Sequence, residues 1–298
     1  LLEAIITSVG VPQINGFEAV TRAFCKENRV DDALGVIELM RKNGVPLSWQ
    51  LYEPIMDLYR HKNLLGKQFN LFNTLTSIIP DEPPSSSMTA HLLVGCIRQG
   101  YLVVAQRVAE ETEKRSTPLT LPLMTSLVDL AHVTNNNSQL QLLAERSLKM
   151  AHSTELSPKL RVHYGNLALR AFSFLNQFST VESVFQHQMV EKMLPLNIGT
   201  LNTMIAATLR SGASSRSSSG YTSGASMTQT LKSGKRETSE QMNARYRARK
   251  LFNNRLALFG PDVATKAESN SITAALLIRM RSPTEYEKVK RTWLEIVE

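Results

Sequence analysis

Apolar residues recur at i, i+3, i+4 and i+7 through most of the chain, the spacing that turns one side of a helix toward a core. They do so in pairs of short stretches separated by polar turns. The first complete pair is expected at residues 17–26 and 30–42, the second at 51–61 and 65–78. Phe17 is matched 35 positions later by Tyr52, Glu18 by Glu53, Val20 by Ile55 and Met40 by Leu75, so the pattern repeats in chemistry as well as in length. Self-similarity at this period marks stacked helix-turn-helix units, each too small to bury its apolar side without neighbours.

The same reading gives pairs at 88–99 and 101–114, at 119–134 and 139–151, and at 161–176 and 180–192. Asn28 and Gly100 fall in the tight turns, and Asp31 and Asp32 suit the start of a second helix. Gly44 is placed to end that helix in a left-handed conformation. Pro80, Pro83 and Pro84 stop the second pair and force an extended connector, and Ala105 marks a close helix approach. A sixth pair opens at 200–210, is interrupted, and resumes near Gln241; a seventh is expected at 266–281 and 284–297. Residues 1–13 read as the end of a second helix and its exit turn, so the chain is expected to begin inside a repeat, with any targeting segment upstream. The organisation expected is therefore a partial repeat at 1–14, helical repeats at 15–210, an insertion at 211–240 and further repeat helices at 241–298.

Composition agrees. The 298 residues are 42% hydrophobic and only 6% aromatic, with abundant Leu, Ala, Met and Ser, which favours an all-α fold. Cys25 and Cys96 stand in helical stretches without CxxC or Cys/His spacing, which points to buried thiols rather than a disulfide or a zinc site. No apolar run reaches the roughly 18 to 20 residues that cross a bilayer, so no membrane insertion is expected.

Charge changes the picture more. Ten basic residues lie between positions 210 and 255, namely Arg210, Arg216, Lys232, Lys235, Arg236, Arg245, Arg247, Arg249, Lys250 and Arg255, against Glu237 and Glu240 alone. This segment holds the entire formal charge of +8, and the rest of the chain is neutral. A polyanion would be drawn to it. Its first part is rich in Ser and Gly, a composition that buries too little surface to offset the entropy of ordering. In the helix that follows, Arg245, Arg249 and Arg255 share one side, and Tyr246 adds a stacking group. A solvated helix face beside a linker, or contact with an acidic protein, would use the same residues.

Candidate chemistry is sparse. The six histidines, His61, His91, His132, His152, His163 and His187, show no HxxxH or HxE arrangement, and no GxxxxGK[ST] or GxGxxG loop occurs. No catalytic residue, metal ligand, cofactor or small-molecule substrate is expected.

Three stretches resemble the pentatricopeptide-repeat family: AFCKENRVDDALGVIELMRKNGV from Ala23, GCIRQGYLVVAQRVAEE from Gly95, and LPLNIGTLNTMI from Leu194. The Trp, Leu-Gly and Tyr landmarks of tetratricopeptide repeats are missing. The resemblance implies a right-handed superhelical α-solenoid of about seven repeats that binds single-stranded RNA in mitochondria or chloroplasts. It also implies base reading by paired side chains, one on a unit's first helix and one just before the next unit. Carried over, these are Asn166 with Asn197, and Asn202 with either Asp262 or Thr265. Local capping is the alternative role for these asparagines. Glu18 with Ser48, and Glu53, put carboxylates at such positions, and Ala90 puts no polar group there, which disfavours modular base reading.

Three functions are open at this point. The first is a non-catalytic structural or assembly subunit of a mitochondrial ribonucleoprotein, with the mitochondrial ribosome and its RNA favoured, bound to other proteins of the particle. The second is a sequence-specific single-stranded RNA-binding factor acting on organellar messengers, and the third a protein-binding scaffold without RNA.

Overall fold

The computed structural model describes residues 14–190, 196–211 and 239–254. The expectations for residues 1–13 and for the seventh pair lie outside them. Among the described residues the regular structure is helical throughout, with no strand. The chain divides into two compact units, Leu1–Asn135 and Asn136–Glu298.

The first unit holds α1 (Ile14–Lys26), α2 (Val30–Lys42), α3 (Trp49–His61), α4 (Leu65–Ile78), α5 (Ser86–Gln99), α6 (Leu102–Lys114) and α7 (Leu121–Val133). Each odd-numbered helix opens a repeat and packs on the next such helix, α1 on α3, α3 on α5 and α5 on α7, while α2, α4 and α6 pack as the second helices. The second unit holds α8 (Asn137–His152), α9 (Pro158–Phe174), α10 (Phe178–Ser183), α11 (Ile198–Ser211) and α12 (Ser239–Asn253). There α9 packs on α8 and α11, and α11 on α12.

The turns explain why the pairs form where they do. Asn28, Asn63, Gly100, Asn135 and Asn176 all have positive φ, between 53° and 78°. Asn and Gly enter this region more readily than other residues. At four of them the next residue donates its N–H five positions back, Arg29 to Phe24, Leu64 to Tyr59, Tyr101 to Cys96 and Gln177 to Phe172, closing the ends of α1, α3, α5 and α9. Gly44 does the same for α2, with Val45 donating to the Met40 carbonyl.

Fully buried side chains run along the first-helix row of the first unit: Phe17, Trp49, Ile55, Leu92 and Leu93. Trp49 donates from Nε1 to the Glu82 carbonyl at 3.2 Å and its ring lies 5.5 Å from that of Phe72. Ala105 is fully buried, as its place in the pattern requires. Cys25 and Cys96 are buried free thiols. Burial pushes the Cys96 thiol up to about 11 and raises that of Cys25.

One expectation gives way. The helix read from 180 to 192 is a six-residue α10 followed by a π-helical turn, Val184–Val190. Within that turn Met189 is buried against Gly165, where a Cβ would stand only 2.9 Å from its Cε. The widened turn thus carries Met189 into space that only glycine leaves open.

Candidate nucleic-acid interface

Small residues set the orientation of α12. Ala244 and Ala248, with Gln241, are its buried positions, and α12 packs on α11. Glu240 lies in the first turn and Lys250 in the last, both favourable to the helix dipole. The opposite side carries Tyr246, 69% exposed, with Arg247, Arg249 and Lys250 also exposed. Arg245 is half-buried at the flank, so it and Arg249 differ in how far they reach solvent.

Arg247 and Arg210 are also bound within the fold. Arg247 donates from Nη2 to Ser211 Oγ at 3.2 Å, and its Nη1 stands 3.8 Å from Glu182 Oε1. Arg210 donates from Nη1 to Ser173 Oγ at 2.8 Å, and its guanidinium lies 4.7 Å from the Phe174 ring centroid. Arg216, Lys232, Lys235, Arg236 and Arg255 lie outside the described residues, as do Asp262 and Thr265.

The structure brings Asn166 and Asn197 together. Asn166 Nδ2 donates to Asn197 Oδ1 at 3.2 Å across 31 residues of sequence. Asn197 Oδ1 also accepts from the Thr200 backbone N–H at 3.0 Å, while the Asn197 N–H donates to Thr200 Oγ1 at 3.3 Å. This reciprocal pair caps the start of α11. Gly199 completes the site, since a Cβ there would stand 3.0 Å from Asn197 Oδ1 and 3.2 Å from Asn166 Nδ2. The amides are thus engaged with one another and with the helix end, and Asn166 Oδ1 is buried without a hydrogen-bond partner among the described residues. Asn202, on α11, is 9% exposed.

The first unit builds the same junction from other groups. Ser85, just before α5, donates from Oγ to Glu53 Oε1 on α3, across 32 residues. Beside it, Asp57 Oδ1 lies 3.3 Å from Arg60 Nη2 and 3.5 Å from His91 Nδ1. Burial is the main cause that holds the His91 imidazole below its ordinary value, with Arg60 adding to it and Asp57 opposing. Ala90 is buried, and its carbonyl accepts from Ser126 Oγ at 3.3 Å. Glu18 is half-buried, and Ser48 Oγ is buried with no hydrogen-bond partner among the described residues.

Sequence reasoning missed Arg115. It donates to the carbonyls of Thr76 at 2.7 Å, Ile79 at 2.9 Å and Pro80 at 3.0 Å, tying the exit of α6 to the C-terminal end of α4, and Glu111 braces it. No local signal marks it, because its acceptors are main-chain oxygens from the preceding repeat.

Among the described residues no cluster of His, Cys, Asp and Glu could hold a metal ion, and no helix is long and apolar enough to cross a membrane. No protein-family model matches the chain. No curated protein matches it either. Among solved structures the chain is similar to the pentatricopeptide repeat protein PPR10 from maize, with 11% identity, a TM-score of 0.46, and 100% of this chain covering 45% of that one. It is also similar to PPR10 in complex with an 18-nt psaJ RNA element, with 15% identity and a TM-score of 0.35, over 96% of this chain and 55% of that one. The chain thus spans about half the length of the solved chains it matches.

Proposed function

We propose that this protein is a non-catalytic, RNA-associated helical-repeat protein, a structural or assembly subunit of a mitochondrial ribonucleoprotein, with the mitochondrial ribosome as the favoured particle. The observation that carries the reading is the outward side of α12, where Tyr246, Arg247, Arg249 and Lys250 are exposed together within the segment that holds the chain's net charge. Phosphate contacts of this kind anchor a chain on RNA and carry little sequence information. The mutual engagement of Asn166 and Asn197 supports a structural subunit over a reader of successive bases.

Deleting residues 211–240 and neutralising Arg245, Arg247, Arg249 and Lys250 tests it. Loss of co-sedimentation with the particle is the expected result; full incorporation by the altered chain would overturn the assignment of this segment.

A second reading is a selective single-stranded RNA binder, which would need the Asn166–Asn197 bond to open so that these amides, with Asn202 on the following first helix, could face bases. Retained selectivity among short RNAs after the same deletion would favour it.

A further inference from the structure

Between the turn after α9 and the first half of α12 lies an open groove of about 700 Å³. Phe178 lines it on one side; Asn243, Tyr246 and Arg247 line it on the other, with Glu240 at its edge. It stands at the turn edge of the repeats, away from the junction that joins Asn166 to Asn197. We propose that this groove seats one nucleotide of single-stranded RNA, its base against Tyr246, its edge toward the Asn243 amide and its phosphate at Arg247. The inference rests on the RNA reading above and gives it a location.

Four observations favour this occupant. Tyr246 offers a largely exposed ring, and every unpaired base has a face to stack on it. Arg247 donates to Ser211 and stands 3.8 Å from Glu182, contacts that bring its guanidinium to the groove while about half of the side chain stays in solvent within reach of a phosphate. The exposed Arg249 and Lys250 continue the cationic side along α12 toward neighbouring phosphates. Asn243 is exposed and carries both a donor and an acceptor, which suits a base edge. A duplex hides its base faces, so it would use only the charges. Glu240 and Glu182 oppose the phosphate and temper the affinity, which makes the groove a partner to the basic side rather than an anion trap.

The test uses the full chain, fluorescently labelled single-stranded RNA of mixed sequence, its duplex and a poly-glutamate competitor. Tyr246→Ala should weaken single-strand binding about 5- to 100-fold, in line with the loss of one stacked base. Tyr246→Phe should restore it, and duplex binding should not change. Arg247→Gln should lower the salt slope by about one, and Glu240→Gln should tighten binding about two- to threefold. Circular dichroism melting checks that the variants stay folded, which is expected because Tyr246 is a surface residue. If wild type binds RNA and Tyr246→Ala binds it equally well, the groove assignment fails while the RNA reading stands. If wild type binds no RNA, both fail. Displacement of RNA by poly-glutamate at equal charge concentration would show that the groove reads charge alone and overturn the nucleotide assignment.

Discussion

The two compact units close equivalent junctions with different chemistry. In the first, Glu53 accepts from Ser85 and Asp57 faces Arg60 and His91, so the first-helix row carries carboxylates. In the second, Asn166 and Asn197 take the equivalent places, Gln177 donates to Gln141 at 3.1 Å, and Arg210 supplies the bond to Ser173. The helical register therefore needs only a polar group that reaches across at this point, and the sign of its charge is left to function. A carboxylate row repels phosphate, whereas amides with a basic neighbouring helix do not. Under the proposed function, that contrast assigns the RNA-facing role to the second unit and a scaffold role to the first.

The contrast can be broken most severely at Trp49. Trp49→Ala should destabilise the chain by about 3–5 kcal/mol, the usual cost of emptying an aromatic core site, as read by urea unfolding. RNA affinity under conditions where the variant is folded should stay unchanged; a parallel loss would end the division of roles. Next in size, reversing Arg247, Arg249 and Lys250 to Glu should cut RNA affinity about a hundredfold or more at ~0.1 M salt. Reversing the exposed Arg22, Lys26 and Lys42 of the first unit should change it less than about twofold, and filter binding measures both sets.

A smaller effect is expected at the asparagine junction. Asn197→Ala removes a helix cap and should cost about 1–2 kcal/mol, and Asn166→Ala about 1 kcal/mol. A double-mutant cycle by chemical denaturation should find the two coupled. Glu53→Gln converts the first unit's junction to the chemistry of the second and should shift stability by less than about 1 kcal/mol.

The weakest handle is pH. Because burial depresses the His91 value, the unfolded chain binds more protons and stability rises with pH. The contribution is complete above the ordinary histidine value of 6.5 and is lost as pH falls below it toward the depressed one. His91→Gln should flatten that part of the melting-temperature profile, while a profile unchanged by the substitution would remove His91 from the junction.

Much of this architecture was legible in the residues. The apolar period, with Asn28 and Gly100 at two of the turns, placed the described α-helices to within three residues at most ends, because local physics decides both. The adjacency of Asn166 and Asn197 followed from the family resemblance rather than from spacing alone. What each amide binds did not, since Thr200 and Gly199 act through cap geometry that spacing alone does not specify. The Glu53 to Ser85 bond and the Arg115 anchor were invisible for a related reason: each spans more than 30 residues and depends on how successive repeats pack. Nor did the pattern reveal the π turn, which answers to the fit of Met189 against Gly165, or the groove beside α12, which the turn after α9 and the first half of α12 build together.

The central claim is that RNA meets the second unit through α12. Ultraviolet crosslinking in intact organelles, with RNA fragments sequenced and crosslinked peptides mapped, tests it most directly. Ribosomal RNA attached to peptides covering residues 239–254 is the result expected; RNA attached only within residues 14–135, or no RNA at all, would contradict it.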